Sequence, residues 1–136
     1  TKKRVAKAPA LPPLVWMPHP GHFICAPKCQ SRLNTWVRAT NVIVSTVGEY
    51  YPDEADRKPT TLGATGLYET MVFPARERDV QDFEGACCPY VAAEWGGLES
   101  ERYDTGIEAF NGHHRWLARY MDPKNTPKLR ARRHGA

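Results

Sequence analysis

The sequence predicts a small α+β domain: a mainly antiparallel sheet of three to four strands, packed on one face by a single C-terminal helix, with extended arms at both ends. Three observations carry this. Two apolar runs, VIVSTVGEY (Val42–Tyr50) and LYETMVF (Leu67–Phe73), are rich in β-branched and aromatic residues and are bounded by turn formers, as strands are. One segment, Gly106–Met121, has helical periodicity. Twelve prolines and ten glycines among 136 residues leave much of the chain to loops and extended segments.

The elements follow in order. Residues 1–18 read as an extended basic arm, because Pro9, Pro12, Pro13 and Pro18 exclude helix and favour polyproline-like backbone. Leu11, Leu14, Val15, Trp16 and Met17 are the residues that would anchor this arm on the domain or on a partner. Residues 19–121 form the domain. It starts with HPGHFICAPKC (His19–Cys29), a turn at Pro20–Gly21 and a short apolar run, Phe23–Ala26, read as a first strand. Thr35–Arg38 and Val42–Val47 flank Ala39-Thr40-Asn41, a connection in which Asn tolerates positive φ, so a hairpin is expected. Tyr51–Gly66 is a loop of about sixteen residues, a length that usually signals function or ordering contacts. LYETMVF follows and Pro74 should end it. Arg76–Gly85 reads as a charged helical turn, and Tyr90–Ala93 as an edge strand before a turn at Gly96–Gly97. The helix is then marked by Ile107, Phe110, His114, Leu117 and Met121, spaced 3, 4, 3 and 4 apart on one expected core face. Thr105 with Glu108 fits a capping box and Asp122-Pro123 a stop. Residues 122–136 read as a second basic arm.

At this length one domain is expected, burying roughly two thirds of its unfolded surface. The apolar fraction of 41 % is ordinary for a globular core, and no run approaches the roughly 18 apolar residues of a membrane span. LPPLVWMP is too short and proline-broken for a signal-peptide core, so the chain reads as soluble and not secreted. Its four cysteines then read as free thiols or metal ligands rather than disulfides. The formal charge of +4 is uneven. Lys2, Lys3, Arg4 and Lys7 give the first ten residues +4, and residues 124–136 carry +5, including Arg130, Arg132 and Arg133. The remaining ten basic and fifteen acidic residues leave the middle at −5. Basic arms on an acidic globule suit an acidic protein face or, non-specifically, nucleic-acid phosphates, or serve only as solubilising tails. Trp16 is the one aromatic near either arm.

Three chemistries compete with purely structural readings. His19, His22, Cys25 and Cys29 form H-x2-H-x2-C-x3-C, and imidazole and thiolate at short spacing suit zinc. Against this, Cys25 reads equally as a small core residue and the histidines as backbone hydrogen-bond partners. Glu49 and Glu69 with His22 or His114 would make an acid–base pair, and a cysteine with a histidine a nucleophile and base, but no diagnostic motif accompanies either set. His114, on the expected apolar face, reads as a hydrogen-bonded core histidine.

The segments HPGHFIC (19–25), RLNTWV (32–37), VSTVGEY (44–50), YETMVF (68–73) and EAFNGHHRW (108–116) occur in an order and spacing that resembles a widespread group of small bacteriophage and prophage proteins. The resemblance covers roughly residues 18–121 and excludes both arms. It implies phage origin, a Ser-Thr-Val strand, a variable loop, a Glu-Thr-Met-Val-Phe strand and a helix carrying Ala-x-x-Gly-His, here Ala109, Gly112 and His113. It implies no particular activity. It draws attention to His113, placed off the expected apolar face, and to Gly112, which permits close approach of the second strand or a partner; Glu69 with His113 is the polar pair it singles out.

The function expected from these features is non-enzymatic: a phage protein acting by assembly, as a head-decorating, connector or tail accessory subunit whose arms clasp phage structural proteins or its own copies. A phage-encoded inhibitor of a host enzyme or defence system is the second reading, and a small zinc-binding protein or enzyme the third.

Overall fold

The hairpin between the second and third strands organises the chain. In the computed structural model, which describes residues 11–18, 22, 25–53, 55, 57–63, 65–79, 88–94 and 96–128, β2 (Cys29–Val37) and β3 (Val42–Tyr50) pair antiparallel from Cys29↔Tyr50 to Val37↔Val42. The connection is four residues, one more than expected, because Arg38 joins it. Asn41 takes the left-handed backbone (φ 54°), and its side chain closes the turn: its Oδ1 accepts from Trp36 Nε1 at 2.9 Å and its Nδ2 donates to the Ala75 carbonyl at 3.1 Å. That conformation is one Asn adopts readily.

The described sheet has six strands, more than the expected three to four, all antiparallel. β1 (Leu14–Trp16) lies at one edge beside β2, and β4 (Tyr68–Glu77) lies beyond β3. On the far side of β4, β6 (Glu99–Tyr103) pairs with Tyr68–Val72 and β5 (Tyr90–Ala92) with Ala75–Glu77. Part of the expected N-terminal arm is therefore a strand of the domain. Pro74 does not end β4. Its carbonyl accepts from Ala93 N–H, so its missing N–H falls in the gap between β6 and β5, where no ladder bond is lost. Arg76 and Glu77 accordingly continue the strand instead of starting a helical turn. Of the expected first strand, Phe23 and Ile24 lie outside the described residues, and Ala26 begins a 3-10 turn (Ala26–Lys28) instead.

Helix α1 (Gly106–Tyr120) starts at Thr105, whose hydroxyl accepts from Glu108 N–H at 3.2 Å, as the capping pattern predicts. It covers one face of the sheet, where Val37, Val42, Val44 and Val72 pack with Leu117 and Tyr120. Burial of such side chains stabilises by about 1.5–3 kcal/mol each. The opposite face carries Trp36, Ile43 and Val47 and is covered by Met17, Ala26, Leu62 and Cys88. A 3-10 turn, Pro123–Asn125, capped by Asp122, follows the helix. Among the described residues no helix is long and apolar enough to cross a membrane.

The rotational setting of α1 differs from the expected one. Its buried residues are Ala109, Gly112, His113, Leu117 and Tyr120. Ile107 is 77 % exposed, Phe110 53 % and Met121 45 %, and His114 is exposed as well. Close packing explains the choice: a Cβ on Gly112 would lie 2.2 Å from the Tyr103 hydroxyl, so only glycine lets the helix backbone settle on β6.

Candidate functional site

Neighbouring residues of a strand point to opposite faces. Ser45 and Thr46 on β3, and Glu69 and Thr70 on β4, each split in this way, and each face receives one histidine. Strands β2, β3 and β4 and helix α1 thus converge on two buried polar networks, one on each side of the sheet.

On the helix side, Tyr103 donates to Thr70 Oγ1 at 3.0 Å, Thr70 and Thr46 share a hydrogen bond of 2.6 Å, and Thr46 Oγ1 meets His113 Nδ1 at 2.7 Å. His113 Nε2 meets Thr35 Oγ1 at 2.9 Å. A neutral imidazole satisfies the chain in either direction, with the hydroxyls donating onward to Nδ1 and Nε2–H to Thr35, or with Thr35 donating to Nε2 and Nδ1–H to Thr46. Burial, reinforced by the neighbouring His114, pushes the His113 pKa down to about 4. Burial also pushes the Tyr103 hydroxyl up to about 12. Beside this chain, Glu99 and Glu101 of β6 accept from Tyr120 and Arg115, and Glu101 also accepts from Trp116 Nε1 at 3.3 Å.

On the other side, His22 Nδ1 meets Ser45 Oγ at 2.7 Å, His22 Nε2 meets Glu69 Oε1 at 3.2 Å, and Arg102 Nε donates to Glu69 Oε2 at 3.0 Å. The Phe73 ring packs edge-on against His22. Burial opposes ionisation of Glu69, but the hydrogen bonds and charges of His22 and Arg102 outweigh it and hold the carboxyl below its ordinary value. Serine, histidine and carboxylate stand here in the order of a hydrolytic triad. Ser45, however, is wholly buried in the middle of β3, so a substrate carbonyl has no approach to its hydroxyl.

Glu69 and His113 do not pair. Glu69 bonds His22 and Arg102 on one face of the sheet, and His113 bonds Thr35 and Thr46 on the other. His114, read as a core histidine, is the exposed one. Of the zinc set, His19 lies outside the described residues and both ring nitrogens of His22 are engaged. Cys25 and Cys29 flank the 3-10 turn Ala26–Lys28, the first half-buried and the second buried. Among the described residues no group of three or more His, Cys, Asp or Glu is arranged to hold a metal ion. Lys2, Lys3, Arg4, Lys7, Arg130, Arg132 and Arg133 also lie outside the described residues. Trp16 does not. It sits on β1, 49 % exposed, with its ring 5.3 Å from that of His113 and 5.7 Å from that of His114.

Compared with known protein families, curated proteins and solved structures, the chain matches none. Function is therefore read from the surface itself. A cleft of about 490 Å³ is lined by Gln30, Glu49, Tyr51 and Arg57, at the root of the long loop. Glu49 and Arg57 both hold left-handed backbone (φ 53° and 49°), and the Glu49 carboxylate accepts from the Tyr68 hydroxyl at 2.5 Å. That bond, with burial, pushes Tyr68 up to about 12. A second, polar groove runs between β6 and α1, along Glu101, Arg102, Glu108, Asn111 and Arg115.

Exposed apolar side chains of the described residues gather on the outer side of α1. Phe110 packs edge-on against His114 at 4.6 Å between ring centres, His114 meets Trp16, and Ile107 lies one turn before Phe110. Ala118 and Met121 continue the same side. No sequence pattern separated this ridge from the core face, because its spacing is the spacing of a core face.

Proposed function

We propose that this protein acts by assembly, as a bacteriophage virion component that packs against further copies of itself through the outer side of α1 and the outer edge of β1, which pairs with no further strand among the described residues. The observation that carries the reading is the exposed ridge Ile107–Phe110–His114–Trp16. Contiguous apolar surface left facing water marks interaction sites far more often than isolated exposed side chains do. The ridge contains no acidic residue, lysine or arginine. Arg115 and Arg119 on the neighbouring side of the helix turn toward Glu101 and Glu99.

A neutral apolar surface complements itself across a two-fold axis. Nucleic acid or a strongly charged partner would find no counter-charge on it. The ridge is also continuous with β1, the last strand at its end of the sheet, whose outer edge offers backbone groups for a β1–β1 contact. The phage assignment is supported by the resemblance of residues 18–121. A head-decorating, connector or tail accessory role fits a small subunit with basic segments at both ends, which suit acidic neighbours or packaged DNA.

Sedimentation equilibrium tests the contact. A dimer or larger species is expected at micromolar concentration, with Ile107→Glu/Phe110→Glu monomeric and folded. A chain that stays monomeric contradicts the contact. Mass spectrometry of purified particles tests the virion role separately, and absence from them overturns it.

A further inference from the structure

A pair of thiols at the start of β2 belongs to neither polar network. Cys25 and Cys29 flank the 3-10 turn Ala26–Lys28, in which Lys28 N–H donates to the Cys25 carbonyl at 3.0 Å and Cys29 N–H to the Ala26 carbonyl. This turn sets the two cysteines at its two ends on one apolar cluster, Cys29 within it and Cys25 packed against it. Their exposure differs. Cys29 is buried with Ala26, Val47 and Leu62, whereas Cys25 lies half-buried against the outside of that cluster.

We propose that Cys25 and Cys29 form a peroxide-responsive dithiol site, with Cys25 the attacking thiol and Cys29 the resolving one. The geometry meets both requirements: a partly exposed cysteine to meet the oxidant, and a second, buried cysteine at the other end of the same 3-10 turn. Electrostatics agree. The hydrogen bond from Cys29 holds the Cys25 thiol below its ordinary pKa despite burial, and the same bond, with burial, pushes Cys29 up.

The chemistry balances with a hydroperoxide as the oxidant. The Cys25 thiolate attacks one peroxide oxygen, an S–O bond forms, and the O–O bond breaks. Hydroxide leaves and is protonated to water (an alcohol, for an organic hydroperoxide), giving a sulfenic acid. The Cys29 sulfur then attacks Cys25 Sγ, the S–S bond forms and the S–O bond breaks, and the second hydroxide leaves with the Cys29 proton as water. Two thiols are oxidised by two electrons and one peroxide is reduced. Cysteines at the two ends of one short turn can reach the roughly 2.05 Å of a disulfide without rearrangement of distant chain. The product staples the turn to the first residue of β2, and an added dithiol reverses it.

The full chain shows this directly. It is treated with equimolar hydrogen peroxide, its remaining thiols are alkylated, and it is cleaved after lysine and arginine. Because Lys28 separates the two cysteines, the expected product is a linked pair of peptides, one ending at Lys28 and one spanning Cys29–Arg32. Two of the four thiols are lost and the intact mass falls by two hydrogens. Cys29→Ser should leave a Cys25 sulfenic acid that a dimedone probe traps, and Cys25→Ser should slow peroxide consumption at least tenfold. The wild-type digest needs no variant, so a misfolded mutant does not spoil the test. Full alkylation of Cys25 and Cys29 after peroxide overturns the proposal, as does their linkage to Cys87, Cys88 or a second copy.

Discussion

The two sides of α1 are inverted relative to what water favours. Over its first two turns and a half the side against the sheet is small and polar, with Ala109, Gly112 and a fully buried His113, and it closes a hydrogen-bonded chain of one tyrosine, three threonines and one imidazole, before Leu117 and Tyr120 complete it on the valines of the sheet. The side facing water carries Ile107, Phe110 and Met121. The inner side gains its stability from close approach and complete hydrogen bonding, which apolar side chains of ordinary size would prevent. The outer side is left with apolar area that stabilises nothing within the described chain. The difference separates fold from function: the inner side fixes the helix, and the outer side is available to a partner.

The comparison is tested first where the largest effect is expected. His113→Ala leaves Thr35 and Thr46 without their imidazole partner and opens a cavity, so unfolding in urea should show a loss of about 4 kcal/mol. Acid should act through the same ring. His113 titrates near 4 when folded and returns to about 6.5 when unfolded, so between these values the unfolded chain binds more protons. Its contribution is complete above about pH 6.5 and is lost as pH falls toward 4, about 3 kcal/mol in total. Urea titrations from pH 7 to 4 should show this slope, and His113→Gln should flatten it. Gly112→Ala comes next. In an ordinary helix it would stabilise by about 1 kcal/mol, but the clash with Tyr103 should make it cost about 2 kcal/mol by thermal denaturation. The smallest stability change belongs to the outer side: at concentrations where both chains are monomeric, Phe110→Glu should change the unfolding free energy by no more than about 0.5 kcal/mol.

The central strands were legible in the sequence because β3 and β4 are buried on both faces and their β-branched residues leave little alternative. The helix start was legible because Thr105 and Glu108 act locally. The setting of α1 was not, since positions 107, 110, 114, 117 and 121 form as good an apolar stripe as any buried one. The true inner side is recognisable only once Tyr103 and the three threonines are known to stand opposite it. β6 escaped for a related reason: ESERY looks like a surface loop until its glutamates meet Arg115, Arg119 and Tyr120 on the helix. The polar residues that matter were partly visible, as Glu69, His22 and His113, and Glu69 with His22 stood among the pairings the residue types allowed, but nothing in the sequence chose it over Glu69 with His113. Which histidine Glu69 meets depends on the strand register, in which Glu69 opposes Val47 and Thr70 opposes Thr46. A shift of one residue would exchange the two faces.

The claim that the outer side of α1 is a contact between copies is tested most directly by comparing the sedimentation of the wild-type chain with that of Phe110→Glu over the same concentrations. The account predicts a concentration-dependent dimer or larger species for the first and a folded monomer for the second. Two monomers, or two identical assemblies, would contradict it.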